Sequence, residues 1–410
     1  MAAPKLRFQT ACFHPAHTEP KIGCVAQPKT SMQAGHRKIP QQAQRPFWRK
    51  SRQYVEYRQP ATAATLAIRI GARLSCTPDI DINDINKESN MRKNIVFLDR
   101  ATLPADYVFR FSFPHTLAEH PQTVPEDTAA RLAGAHIAAT NKVRITAEHL
   151  AANPQLEMIA VCATGSDHID TTAARAARAA GVAVCNVPAY GSEAVAEHAF
   201  MLMIALMRNL PAYRRDLRAG LWQNSPFFCH FGAPIRDLHG KTLAVFGRGG
   251  IGGTLAGYAR AFGMHVVFAE HKNAAVVREG YVSFDTALQQ ADVLSLHCPL
   301  TPQTRHLIGE AELRALKPGA VLINCGRGGL VDETALLAAL KYGTLGGAGL
   351  DVLEQEPPKS GSPLLKADLP HLIITPHIAW ASDSARQKMC DTVAANIEAF
   401  AAGKPQNLVL

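Results

Sequence analysis

The chain has 410 residues, 47% hydrophobic, 19% charged and 7% aromatic, a balance that excludes both a disordered and a fibrous protein. Its longest uninterrupted apolar run, Ala199 to Met207, is nine residues, far short of the ~18 needed to cross a membrane. Of the formal charge of +9, residues 1–90 carry +8, with 14 of the 43 basic residues against 6 of the 34 acidic ones; the nearly neutral body gives no footprint for nucleic acid.

Residues 1–60 mix Gln, Pro, His and basic residues without helical or alternating periodicity, and Pro40, Pro46 and Pro60 interrupt any element. No apolar run of a secretory signal follows the basic start. An organelle-targeting segment and a basic arm are alternatives, but the reading adopted for 1–90 is a disordered basic extension, or translated sequence ahead of a start at Met91. The nine cysteines, at 12, 24, 76, 162, 185, 229, 298, 325 and 390, form no CxxC pair. That usage fits a reduced cytoplasmic protein without a disulfide framework or a metal site.

From residue 94 short β-branched runs alternate with amphipathic ones. Strands are expected at 94–99, 136–141, 156–163 and 182–187, with helices at 124–134 and 170–180, the latter closed by Gly181. A long helix follows from Ser192, its expected N-cap, to Arg208 before Pro211, and 209–240 reads as loop. Strands resume at 242–247, 265–269, 292–297, 320–325, 347–352 and 372–376, and a last helix covers 382–401. Repeated alternation implies parallel sheets covered on both faces, hence two α/β units joined by one long helix.

GRGGIG (247–252) follows the strand at 242–247 and opens a helix. In that context Gly247 makes the tight turn, Gly249 lets a pyrophosphate approach the backbone, and Gly252 allows close helix–sheet packing. The helix start offers free N–H groups to phosphate. Glu270 ends the next strand, 18 residues after Gly252. A carboxylate there accepts from an adenosine ribose and repels a 2′-phosphate, which favours NAD over NADP.

Arg327, Glu356 and His377 each lie just past the C-terminal end of a strand in this second unit, where ligands of open α/β sheets bind. A guanidinium grips a carboxylate with two parallel hydrogen bonds. An imidazole exchanges a proton with a carbonyl oxygen as hydride reaches its carbon, and a neighbouring carboxylate orients the ring and favours its charged form. Together they suit the interconversion of a 2-oxo and a 2-hydroxy acid.

With ATGSDHID (163–170), NVPAYGSEAVAEH (186–198), HCPLTPQTRHLI (297–308), INCGRGGLVDETAL (323–336), GAGLDVLEQEPP (347–358) and TPHIAWAS (375–382), residues 91–410 resemble the D-isomer-specific 2-hydroxyacid dehydrogenases. The resemblance implies two doubly wound parallel-sheet domains. A flavodoxin-like substrate domain would comprise 91–190 completed by 378–410, and a Rossmann NAD-binding domain 191–377. It places the catalytic Arg, Glu and His on Arg327, Glu356 and His377, and the amide loop for the substrate carboxylate on Thr164 and Gly165. Gly250 and Ile251 would contact the pyrophosphate; Cys298, Pro299 and Cys325 would line the cofactor pocket; Asp351 would hold the nicotinamide carboxamide. It also implies a homodimer through about 192–240.

Within the family, NVPAYGSEAVAEH and PHIAWAS look most like glycerate dehydrogenases, also called hydroxypyruvate reductases. Trp380 either closes the substrate pocket or packs in the core, and His168 and His198 read as structural. The function so implied is NAD-dependent interconversion of D-glycerate and hydroxypyruvate. Alternatives are another small 2-hydroxy acid (D-lactate, glyoxylate/glycolate) or a non-enzymatic NAD-sensing corepressor on the same fold.

Overall fold

The computed structural model describes residues 92–409, apart from 171 and 174–180. The reading of 1–90, the candidate start at Met91 and most of the helix expected at 170–180 lie outside the described residues.

Five parallel strands form the first sheet: β1 (Lys93–Phe97), β2 (His115–Glu119), β3 (Ile137–Thr140), β4 (Met158–Val161) and β5 (Ala183–Cys185), in the order β2-β1-β3-β4-β5. Successive side chains of a strand point to opposite faces, and both faces are covered. Ile95 and Phe97 bury on one side with Met389, Val393 and Ile397 of the last helix, Asp383–Ala401. Val96 and Leu98 bury on the other with Leu132, Ile145 and Ile159.

Six parallel strands form the second sheet: β6 (Thr242–Phe246), β7 (His265–Phe268), β8 (Val293–Leu296), β9 (Val321–Asn324), β10 (Gly347–Leu350) and β11 (Leu372–Ile374), in the order β7-β6-β8-β9-β10-β11. Leu243, Val245 and Ile323 pack on Leu202, Met203 and Leu206 of the long helix Ser192–Met207. Phe246, Leu296 and Leu322 pack on Phe284, Leu336 and Leu340. In each sheet the order reverses once, between β1 and β3 and between β6 and β8, and each reversal opens a crevice at the carboxyl ends of the strands.

Four local features differ from the sequence reading. Strand β2 is half-exposed and carries no apolar run, because it pairs only with β1 at the sheet edge. The segment read as loop contains a helix, Leu210–Arg218, with Pro211 in its first turn, where the missing N–H costs nothing. Ser192 does not cap its helix: Gly191 occupies that position and no side chain bonds the first amides. The Ser192 hydroxyl instead lies towards Gly250. The helix expected at 124–134 is a 3₁₀ turn, Pro125–Asp127, followed by Thr128–Leu132.

Candidate active site

Gly247, directly after β6, has φ +108°, and a Cβ there would lie 2.7 Å from the His297 carbonyl carbon after β8. The turn therefore closes on the crevice between β6 and β8, and only glycine fits it. A Cβ on Gly252 would collide with the Gly247 carbonyl oxygen, whereas one on Gly249 would meet nothing within 4 Å. Open space over Gly249 and the unpaired first-turn amides of the helix Gly250–Ala261 suit a pyrophosphate. These residues fit a dinucleotide.

One cavity joins this loop to the first unit. Gly249, Gly250, Ile251 and Gly252 line it with Cys298, Pro299 and Cys325, and Thr164, Gly165, Arg327, Asp351, His377 and Trp380 line it as well. Glu356 is behind His377, and Gly247 lies beneath the loop. Burial pushes the Cys298 thiol up to about 11 and Cys325 higher still, so neither is a thiolate nucleophile.

His377 carries φ +55°, a left-handed conformation that a non-glycine residue keeps only when its surroundings enforce it. Its backbone N–H donates to the Asp351 carbonyl at 2.8 Å, and its Nδ1 lies 2.6 Å from Glu356 Oε2. Glu356 Oε1 accepts the Leu353 amide at 2.9 Å. Burial pulls the Glu356 carboxyl up, but the His377 hydrogen bond and charge, the Leu353 amide and Lys142 outweigh it, and the net shift is downward. With Nδ1 engaged, Nε2 is the nitrogen left for a substrate.

Arg327 follows β9. Its Nε donates to Asp167 Oδ2 at 2.9 Å and its Nη1 to the Gly326 carbonyl at 3.0 Å. A Cβ on Gly165 would collide with Nη2, so the guanidinium edge lies against the 164–165 backbone. The Thr164 hydroxyl donates to the Val187 carbonyl at 2.7 Å, and Asn186 Nδ2 donates to the Thr164 carbonyl at 2.8 Å. The Thr164 and Gly165 amides have no acceptor among the described residues. A guanidinium beside two free amides is a seat for a carboxylate.

Asp351 is 1% exposed. Its Oδ1 accepts the Thr375 hydroxyl at 2.5 Å and the Ile378 amide at 3.0 Å, and its Oδ2 accepts the Ala379 amide at 2.8 Å. His198 Nε2 meets the same Thr375 hydroxyl at 2.9 Å, a structural contact. Trp380 Nε1 donates to the His377 carbonyl at 3.0 Å, and its ring meets Tyr190 edge-on at 6.3 Å; it both packs and walls the cavity.

Glu270 stands apart, 3% exposed at the end of β7. Arg278 Nε and Nη2 each bond one of its oxygens at 2.7 Å, and the His271 and Arg278 amides bond them at 2.8 and 3.1 Å. The Arg278 hydrogen bonds, with the His271 amide, bring its pKa down to about 2. Four donors fill the acceptor positions of a carboxylate.

Sequence reasoning did not single out Lys142, Asp167 or Tyr190, which line the same cavity. Lys142 was within reach of the rule applied to the second unit, because it directly follows the strand expected at 136–141. Among the described residues no cluster of His, Cys, Asp or Glu could hold a metal, and no helix is long and apolar enough to cross a membrane.

The family model for the D-isomer specific 2-hydroxyacid dehydrogenase, NAD binding domain, matches residues 200–379. The glycerate dehydrogenase of Methylorubrum extorquens is 48% identical over 320 residues, 78% of this chain and 99% of the relative. The chain belongs to the D-isomer-specific 2-hydroxyacid dehydrogenase family. It is thus an oxidoreductase of two parallel-sheet α/β domains. Among solved structures, it is similar to a D-lactate dehydrogenase from Aquifex aeolicus complexed with NAD and lactic acid (TM-score 0.62, 30% identity, 76% of this chain and 96% of that one). It is also similar to an NADPH-dependent glyoxylate/hydroxypyruvate reductase from Sinorhizobium meliloti in complex with NADP and malonate (TM-score 0.63, 30% identity, 78% and 97%).

Proposed function

We propose that this dehydrogenase interconverts hydroxypyruvate and D-glycerate, with residues 191–377 holding the coenzyme and 91–190 with 378–410 holding the substrate. The observation that carries this reading is His377, backed by Glu356 at 2.6 Å and sharing one cavity with Arg327 and the glycine loop; the choice of glycerate rests on the Methylorubrum relative. Arg327 and the Thr164 and Gly165 amides hold the substrate carboxylate. His377 Nε2 donates a proton to the C2 oxygen in reduction and removes it in oxidation, while Glu356 holds the ring and balances its charge. A bound reduced nicotinamide would supply the hydride to C2. Ile251, Cys298, Pro299 and Cys325 are assigned to the coenzyme walls.

NADH is the coenzyme of this reading, and NADPH is accepted too. Support comes from Glu270, whose charge is neutralised by Arg278, so it repels a 2′-phosphate less than a free carboxylate would. Arg248 stands 5.7 Å and Arg278 4.2 Å from the centre of the same Tyr281 ring, two guanidinium groups beside the position of the adenosine ribose. A homodimer is inferred from the exposed Phe227, Phe228 and Phe231 beyond the long helix, an apolar patch of the kind that marks an interface. A cytoplasmic location is inferred from free cysteines at all six described positions.

The test is absorbance of NADH with hydroxypyruvate for the wild type and His377→Ala. Turnover should fall ~10²–10⁴-fold in the variant. Near-normal turnover would remove His377 from the chemistry, and no turnover of any 2-oxo acid by the wild type would remove the reading.

A further inference from the structure

The second cation of the cavity has no role in the chemistry above. Past β3 the chain turns through Asn141 and Lys142, at the crevice where the order of the first sheet reverses between β1 and β3. Asp99, past the end of β1, fixes that turn. Its buried carboxylate accepts the Asn141 amide at 2.9 Å and the Lys142 amide at 2.6 Å. The Lys142 backbone is thus pinned where an open α/β sheet binds its ligand.

The Lys142 side chain lines the same cavity as Gly165, Arg327 and His377. Lys142 is solvent-exposed as a residue, yet its surroundings lower its pKa. Desolvation is the larger cause and the Arg327 charge the next, against the opposing pull of Asp167, Glu356 and Asp99. All three carboxylates are committed elsewhere: Asp167 bonds Arg327 at 2.9 Å, Glu356 bonds His377 at 2.6 Å, and Asp99 holds the Asn141 and Lys142 amides. Among the described residues the Lys142 ammonium has neither a hydrogen-bond nor an ion-pair partner.

Two cations therefore face one cavity, and a substrate carboxylate on Arg327 and the 164–165 amides satisfies only one. We propose that Lys142 receives the substituent on C3, so that the site selects 2-oxo acids bearing a hydroxyl or an anionic group on C3, 2-oxo dicarboxylates included. This rests on reading the cavity as a 2-oxo acid site, and it names the part of the substrate that Arg327 and His377 leave unread. Glyoxylate has no C3 and pyruvate offers a bare methyl, so neither uses the ammonium. Hydroxypyruvate and oxaloacetate both do, through a charge-assisted hydrogen bond.

The experiment measures kcat/KM with glyoxylate, pyruvate, hydroxypyruvate and oxaloacetate for the wild type, Lys142→Met and Lys142→Arg. Loss of the charged donor should lower the hydroxypyruvate-to-pyruvate ratio ~10–100-fold, mainly through KM, and Lys142→Arg should recover part of it. On the unaltered protein, D-malate should compete with hydroxypyruvate at an inhibition constant at least ~10-fold below that of D-lactate, a measurement independent of how the variants fold. Equal inhibition by the two, or a ratio unmoved by Lys142→Met, overturns the role of Lys142 while leaving the dehydrogenase reading intact. Failure of the wild type on all four acids takes down that reading, and this proposal with it.

Discussion

The Asp351 carboxylate accepts the Ala379 amide at 2.8 Å, and with the Ile378 amide and the Thr375 hydroxyl this contact ties the loop of His377 to the end of β10. The left-handed His377 backbone sits inside that brace. Asp351→Asn replaces one acceptor oxygen by an N–H group that would confront a backbone donor, a buried mismatch of ~1–3 kcal/mol. Turnover should fall ~10–100-fold as the imidazole loses its position, with KM for the oxo acid changing less. Steady-state kinetics beside a melting curve check this; unchanged kcat would show that the loop holds itself.

Arg278 controls coenzyme choice in the reading above. Arg278→Ala should weaken NADPH binding ~10-fold or more, since a guanidinium–phosphate pair is lost, and should weaken NADH less because Glu270 becomes free to accept from the ribose. Titration of protein fluorescence with each coenzyme gives the two dissociation constants. Equal weakening of both would assign Arg278 a purely structural part.

Stability should fall on mild acidification. Burial lowers both His168 and His297 to about 4, and His168 Nε2 and His297 Nδ1 are shielded and have no partner among the described residues. In the unfolded chain each titrates near 6.5, so between 6.5 and 4 the unfolded state binds protons that the fold refuses. Their contribution is complete above ~6.5 and is lost as pH falls, about 1–2 kcal/mol for each between pH 7 and 5. Melting temperatures across that range should decline, and His168→Gln should flatten the slope. An unchanged slope in the variant would mean that His168 takes up its proton equally in the folded and the unfolded chain.

Phe228 is 92% and Phe231 85% exposed, in the segment assigned to the dimer. Phe228→Glu with Phe231→Glu should halve the mass seen by light scattering at micromolar concentration, because two charges would be buried without partners. A wild type that already runs as a monomer would disprove the dimer.

The second sheet was the most legible part of the chain. Its strands run as continuous apolar segments because both faces are covered, and the glycine loop, Arg327, Glu356 and His377 stand at strand ends where the alternation itself marks the ligand side. Strand β2 and the helix Leu210–Arg218 were not legible. The first pairs with one neighbour and stays half-exposed, and the second is a short basic segment whose early proline, Pro211, reads as a break although it sits in the first turn. Lys142 was legible in principle, since it follows a recognised strand, but a lone lysine after a strand carries no chemical signature.

Local composition determined which segments become strands, where a glycine turn opens a helix after a strand, and which three polar side chains stand at strand ends, because each follows from a short-range pattern along the chain. Tertiary structure alone decided what those groups touch. Arg278 neutralises Glu270, Asp99 sets Lys142 into the crevice, and Asp167 turns Arg327 towards Gly165 across 160 residues of chain. Such pairings arise where sheet order brings strand ends together, and no periodicity in the sequence encodes them.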